Sequence, residues 1–167
     1  MIITVWRHGE AGSAVTDRQR ELTDSGFDDI GFGCRQFHAA LEGRGLAAPD
    51  LVLFSPWVRT RETAEIIAAA FTHAQLRELD ALRPGSTVPA VDAALEAMEP
   101  ALASREHVVL VSHQPLVSHL VDHYLGLDNA VPPLPPGGLV TLSLEAAARD
   151  CGELRFWAMP PEYGAGV

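Results

Sequence analysis

Apolar residues follow two rhythms along this chain. Short apolar runs, Ile2-Ile3-Thr4-Val5-Trp6, Leu51-Val52-Leu53-Phe54 and His107-Val108-Val109-Leu110-Val111-Ser112, read as strands. Between them the apolar residues recur three and four apart. Phe27, Ile30, Cys34, Phe37 and Leu41 predict a helix from about Asp24 to Leu41, capped by Thr23 and ended by Gly43 and Gly45. Ser55-Pro56 predicts a second helix to about Phe71, with Ser55 as cap and Pro56 in the first turn. A weak strand is expected at Gln75 to Leu79, a turn at Arg83-Pro84-Gly85-Ser86, and one Ala-rich helix from Val88 to Ala103. After the 107–112 strand, Leu116, Val117, Leu120, Val121 and Tyr124 form the apolar stripe of a helix ending near Leu125. Pro132, Pro133, Pro135 and Pro136 mark a stiff loop. Strands at about Leu139–Leu144 and Leu154–Ala158 follow, and the tail after Pro160 is expected to be loose.

Strand and helix signals in alternation predict an α/β fold, a three-layer sandwich with a mainly parallel central sheet and helices on both faces. The last two strands lack a helical crossover, so one of them is expected to pair antiparallel at an edge. No linker or repeat interrupts the pattern, which predicts one domain over residues 1–160 and a short tail over 161–167. Ligands of such sheets sit beyond the carboxyl ends of the strands. His8 follows the first strand and His113 the fourth. Both are therefore expected to face one crevice, together with Ser55-Pro56 and Arg59.

Composition narrows the chemistry. The 167 residues are 47% hydrophobic and 20% charged, the balance of a globular chain and not a disordered one. No apolar run approaches the roughly 18 residues of a membrane span, and the N-terminus reads as a strand without a basic leader. The two cysteines, Cys34 and Cys151, make no disulfide framework, and a cytoplasmic location is expected. Net charge is -10, from 22 acids against 12 bases. That balance argues against nucleic acid and anionic membranes as partners. All 12 bases are arginine. Lysine chemistry is thereby excluded, and any grip on a phosphate must use Arg, backbone amides or protonated His.

Arg7-His8-Gly9 places a rigid fork of donors beside a histidine and a residue that lets the backbone turn closely. A histidine at a strand end can also be a mere cap. Arg59 falls in the first turn of the second helix, where free amides already favour anions. The bland alternative for Arg59 is an ion pair with Glu62, as Arg61 is expected to pair with Glu65. The second strand-end histidine, in Val111-Ser112-His113-Gln114-Pro115, changes the balance. Two His and two Arg converging on one crevice make a phosphoryl-transfer site.

These pieces resemble the histidine phosphatase superfamily, also called phosphoglycerate mutase-like, and most of all its short bacterial branch of phosphohistidine phosphatase type. The matching segments are Arg7-His8-Gly9-Glu10 (the RHG motif), Asp17-x-x-Arg20-x-Leu22-Thr23-x-x-Gly26, Ser55-Pro56-x-x-Arg59-x-x-x-Thr63 and Val111-Ser112-His113-x-Pro115, in family order. The resemblance implies that His8 is the nucleophile, that Arg7 and Arg59 clamp the phosphoryl group, and that His113 is a second, charged pocket histidine. Gly9, Arg20, Ser55 and Gln114 are expected to support the phosphate pocket. No metal or cofactor is required. The chain departs from many members at the general acid. Asp80 in Leu79-Asp80-Ala81 is one candidate, and Glu10 and Asp17 are others.

The expected activity is hydrolysis through a phosphohistidine intermediate, first on phosphohistidine of a protein partner and second on a small phosphate ester, by a monomer or weak dimer. Two other classes compete. A non-catalytic phospho-ligand binding module would keep the Arg clamp without turnover. A metal-binding regulator would use His119 and His123, four residues apart on one helix.

Overall fold

The computed structural model describes residues 1–166. Six strands form one sheet: β1 (Ile2–Arg7), β2 (Leu51–Phe54), β3 (Gln75–Glu78), β4 (His107–Ser112), β5 (Leu139–Leu144) and β6 (Gly152–Ala158), in the order β3-β2-β4-β1-β5-β6. The first four strands run parallel, and β5 pairs antiparallel with β1 on one side and with β6 on the other. The expected single antiparallel edge pairing is thus two pairings. β5 lies inside the sheet against β1, because it returns from the proline-rich loop and not from a helix that could reverse its direction.

Helices α1 (Asp24–Gly43) and α2 (Val58–Ala70) cover one face; α3 (Val88–Ala97), α4 (Glu99–Leu102) and α5 (Leu116–Leu125) cover the other. The alternation of strand side chains sorts the two cores. Ile3, Val5, Val108 and Leu110 pack beneath α3 and α5, whereas Trp6, Val109 and Val111 pack beneath α1 and α2. The three-layer sandwich follows from strands that are buried on both faces.

Several local expectations shift. The single helix over 88–103 is two, since Pro100 has no N–H to continue α3 and its ring clashes with the preceding turn. Thr23 does cap α1, its hydroxyl accepting the Gly26 amide at 3.0 Å. Phe27, however, is 41% exposed. The buried stripe of α1 runs through Gly26, Ile30, Gly33, Cys34, Phe37 and Leu41 instead. Small residues face inward there because the Glu10 backbone crowds Gly26 and the Tyr163 ring crowds Gly33. Ser55 does not cap α2, which starts at Val58 behind Trp57. Pro56 accordingly precedes the helix. The tail is not loose up to Gly166. Tyr163 is buried, its hydroxyl donates to the Gly137 carbonyl at 2.9 Å, and Gly166 pairs with Trp157.

One polar chain crosses the α1 side of the sheet. His107 Nδ1 lies 2.7 Å from the Ala47 carbonyl, which can only accept, so Nδ1 carries the proton. Nε2 then accepts from Thr4, 2.8 Å away, and Thr4 accepts from Thr141 at 2.8 Å. Burial lowers the His107 pKa to about 4, against smaller opposing effects of the Ala47 hydrogen bond and Asp50. A native pKa below the ordinary 6.5 means that the unfolded chain takes up a proton which the folded one refuses. The stabilisation is full above pH 6.5 and is lost as pH falls towards 4. Denaturant titrations between pH 6.5 and 5, above the carboxylate range, are expected to show stability falling by up to about 1.4 kcal/mol per pH unit from this residue. The slope should be shallower by that amount in His107→Gln; an unchanged slope contradicts the assignment.

Candidate active site

The parallel register brings the strand ends to one level. Arg7 pairs with Ser112 and Phe54 with Val111. The next residues continue the ladder, His8 N–H donating to the Ser112 carbonyl at 3.1 Å and Ser55 N–H to the Val111 carbonyl at 3.1 Å. His8, Ser55 and His113 thereby leave three neighbouring strands together. The His8 and His113 rings stand 5.2 Å apart, centre to centre. Both residues are buried, as is Arg59.

His8 is fixed from both sides. Its Nδ1 lies 2.7 Å from the Gly9 carbonyl and so carries the proton. Its Nε2 faces the Arg59 Nε–H at 3.2 Å, with its lone pair as acceptor. Burial is the largest cause lowering the His8 pKa to about 4; the Gly9 bond opposes it, and Arg59, Arg7 and Arg20 lower it further. His8 is therefore a neutral imidazole with Nε2 unprotonated near pH 7, surrounded by cations.

Gly9 is needed for packing. A Cβ there would lie 2.9 Å from Ile30 and 3.2 Å from Leu22, so the first turns of α1 press directly on the backbone. The Gly9 amide donates to Thr63 Oγ1 at 3.1 Å, and that hydroxyl donates to the Arg59 carbonyl at 2.8 Å. One threonine on α2 thus ties the histidine loop to the helix that carries Arg59.

Arg59 spends three donor positions in the pocket: Nε on His8, Nη1 on the Asp17 carbonyl at 2.7 Å and Nη2 on Asp17 Oδ2 at 3.1 Å. The expected alternative partner, Glu62, instead accepts the Leu22 amide at 2.9 Å. Arg61 pairs with Glu78 on β3 at 3.4 Å and not with Glu65, because β3 lies alongside α2. Arg7 Nη1 donates to the Leu134 carbonyl at 3.0 Å, while its Nε is buried with no partner among the described residues. Burial and the nearby Arg59 both lower the Arg7 pKa. Gln114 Nε2 shares the Leu134 carbonyl at 3.1 Å and also reaches Ser118. The proline-rich loop thereby braces Arg7 and Gln114 together.

His113 Nε2 lies 2.8 Å from Ser55 Oγ, and Nδ1 is buried without a partner among the described residues. Burial leads the causes that lower its pKa to about 3, followed by His8 and Arg59; Asp17 opposes them and Arg7 adds to the lowering. His113 is thus neutral in this structure, and the charged form expected from the sequence requires an added anion beside it.

The candidate acids are engaged elsewhere. Asp17 holds Arg59 and, at 3.2 Å, Arg20. Burial raises its pKa, but the hydrogen bonds and charges of the two arginines outweigh that and leave it lowered, so Asp17 stays ionised. Glu10 accepts from the Thr23 hydroxyl at 2.8 Å, and the exposed Asp80 pairs with Arg83 at 2.8 Å. Arg20 sits at the mouth, donating to the Gly12 and Ala11 carbonyls. His123 turns to Asp92 on α3 at 2.9 Å, and among the described residues no three His, Cys, Asp or Glu side chains group as a metal site. A groove of about 550 Å³ bounded by Asp92, Glu96, Glu99, Arg105 and Glu145 lies at the opposite end of the strands from His8 and His113.

The sequence places Thr63 in a matching segment without giving it a role, and it gives none to the Leu134 carbonyl or to Arg18. Thr63 had a signal, four residues after Arg59 and so on the same face of α2. Leu134 acts through its backbone, and nothing in its side chain marks it.

A family model described as the histidine phosphatase superfamily (branch 1) matches residues 3–85. The protein histidine phosphatase SixA in complex with tungstate is similar at a TM-score of 0.76 and 26% identity, over 96% of this chain and 97% of its own. A protein of Nakamurella multipartitia provisionally assigned as the phosphohistidine phosphatase SixA is 28% identical at a TM-score of 0.72, over 95% of each chain. A mycobacterial glucosyl-3-phosphoglycerate phosphatase shares the fold at 17% identity and a TM-score of 0.71, over 95% of this chain and 99% of its own. No curated protein matches the sequence.

Replacing Thr63 by valine keeps the volume and leaves the buried Gly9 amide unpaired. Chemical denaturation is expected to show a loss of about 1–3 kcal/mol. A neutral outcome would mean that the Gly9–Thr63 bond does not brace the loop.

Proposed function

Because the chain belongs to the histidine phosphatase superfamily, we propose that this phosphatase works through a covalent phosphohistidine at His8, and that its first substrate is phosphohistidine on a protein partner. The observation that carries this reading is the neutral His8, its unprotonated Nε2 held between Arg59 and His113.

In this mechanism the Nε2–P bond forms as the bond from phosphorus to the leaving atom breaks, and the leaving group departs with the electron pair. Arg59 turns its Nε–H from His8 to a phosphoryl oxygen as Nε2 attacks. Arg7 and Arg59 neutralise the charge on the equatorial oxygens, where a preorganised cation in a dry pocket is worth most. A phosphoryl dianion raises the low pKa of His113, which then donates to an oxygen. Ser55, Gln114, Gly9 and Arg20 support the pocket through the contacts described above. Water then attacks phosphorus, the Nε2–P bond breaks, and inorganic phosphate leaves with His8 regenerated. Residues 1–160 act as one catalytic domain, without metal or other cofactor.

Two observations favour phosphohistidine over an alkyl phosphate. Asp17 is held ionised by arginine, and neither Glu10 nor Asp80 is free of a partner. An imidazole leaves more readily than an alkoxide, so this pocket suits a phosphoramidate. The similar SixA phosphatase, solved with tungstate, supports the same class. A small phosphate ester is the second reading, favoured by the shared fold of the mycobacterial phosphatase. No helix among the described residues is long and apolar enough to cross a membrane. The acidic net charge supports action away from nucleic acid and anionic membrane, and we place that action in the cytoplasm, on a protein or small phosphate, by a monomer or weak dimer.

Acid-quenched reaction with labelled phosphoramidate tests the nucleophile. Wild type is expected to take up an acid-labile, base-stable label, and His8→Ala to take up none. An unlabelled wild type that still binds the donor would favour a phospho-ligand binding module instead.

A further inference from the structure

Four of the twelve arginines gather at the pocket: Arg7, Arg18, Arg20 and Arg59. Three of them spend donors on fixed partners. Arg7 holds the Leu134 carbonyl, Arg20 the Gly12 and Ala11 carbonyls and Asp17, and Arg59 both His8 and Asp17. Arg18 differs. Its guanidinium lies 5.1 Å over the Trp57 ring, and it makes no hydrogen bond or ion pair among the described residues. The Trp57 ring in turn stands edge-on to His113, 6.3 Å between centres. Trp57 therefore holds a planar cation with its donors unspent just outside the phosphoryl pocket. Stacking costs a guanidinium none of its in-plane donors, which fit a carboxylate.

The surrounding charge gives this placement meaning. With a net charge of -10 the chain as a whole repels anions, so an acidic substrate gains a foothold only where cations are concentrated. Three residues before Arg18, Val15 is 98% exposed. Through Trp57, which stands beside His113, Arg18 lies next to the space where a phosphoryl group between Arg7, Arg59 and His113 would carry the rest of its substrate.

We propose that Arg18, stacked on Trp57, is a specificity-determining residue that takes a carboxylate carried next to the phosphoryl group on the leaving side of the substrate. The site thus selects phosphohistidine flanked by acidic residues over the same group in a neutral segment. This rests on the phosphatase reading above. The carboxylate reaches Arg18 from a neighbouring residue of a protein substrate, while a small phosphorylated acid offers the same chemistry.

The test compares kcat and KM of wild type and Arg18→Gln on phosphoramidate, on a phosphohistidine peptide with glutamates beside the histidine, and on the same peptide with glutamines. Phosphoglycolate and ethyl phosphate form the small-substrate arm. Wild type is expected to prefer the glutamate peptide by about five- to tenfold in kcat/KM, through KM and more strongly at low salt. Arg18→Gln should abolish that preference and its salt dependence while phosphoramidate turnover stays unchanged. The same loss confined to phosphoglycolate against ethyl phosphate would support the carboxylate contact and identify a small acid as its source. Equal rates on both peptides and both small esters in wild type, or a preference that survives Arg18→Gln, would overturn the proposal while leaving the phosphatase reading intact. If wild type hydrolyses none of the substrates, the phosphatase reading fails and the proposal falls with it.

Discussion

The hydrogen bond from His8 Nδ1–H to the Gly9 carbonyl, 2.7 Å long, decides what the pocket can do. It fixes one tautomer and leaves the lone pair on Nε2, the nitrogen that faces Arg59 and the space before His113. A carbonyl one residue along the same loop is a partner that the ring cannot easily lose. The rest of the site depends on where that loop sits. Thr63 holds the Gly9 amide, α1 presses on Gly9 from one side, and β4 continues the ladder from the other. His8 is thus positioned by main-chain geometry, and its charge state is set by burial among arginines.

This arrangement has a thermodynamic cost. Three histidines, His8, His107 and His113, are buried neutral, and each would be charged more readily in water. For His107 the cost is offset by a complete chain of donors and acceptors. For His113 it is not, since Nδ1 has no partner among the described residues. A buried nitrogen left unpaired beside two arginines is poised for an anion with several acceptor oxygens, and an added dianion would satisfy Arg7 Nε as well. The pocket of the empty protein thus leaves buried donors and acceptors unpaired that a bound anion would complete.

Much of this was legible in the sequence because strand ends are. Alternation of apolar runs and helical stripes placed His8, Ser55 and His113 at the ends of strands, and parallel pairing then brings them together whatever the loops do. Thr23 announced its cap by residue type. What stayed hidden depends on contacts between distant segments. Phe27 occupies a position that periodicity assigns to the core, but Gly26 is drawn inward by the approach of the Glu10 backbone. Ser55 looks like a helix cap, and its hydroxyl serves His113 instead. Asp17 reads as a candidate general acid, yet the fold sets it against Arg59, 42 residues away. Tyr163 lies in a Gly- and Pro-rich tail, and its burial comes from contact with Gly33 of α1 and Gly137 of the loop before β5.

The protonation state of His8 is the centre of this account, and nitrogen-15 NMR of the histidine side chains measures it directly. Spectra of the unliganded protein between pH 7 and 4 are predicted to show His8 neutral, with the proton on Nδ1 and Nε2 bare, and titrating near pH 4. A His8 that carries its proton on Nε2, or that titrates at the ordinary value near 6.5, would contradict it.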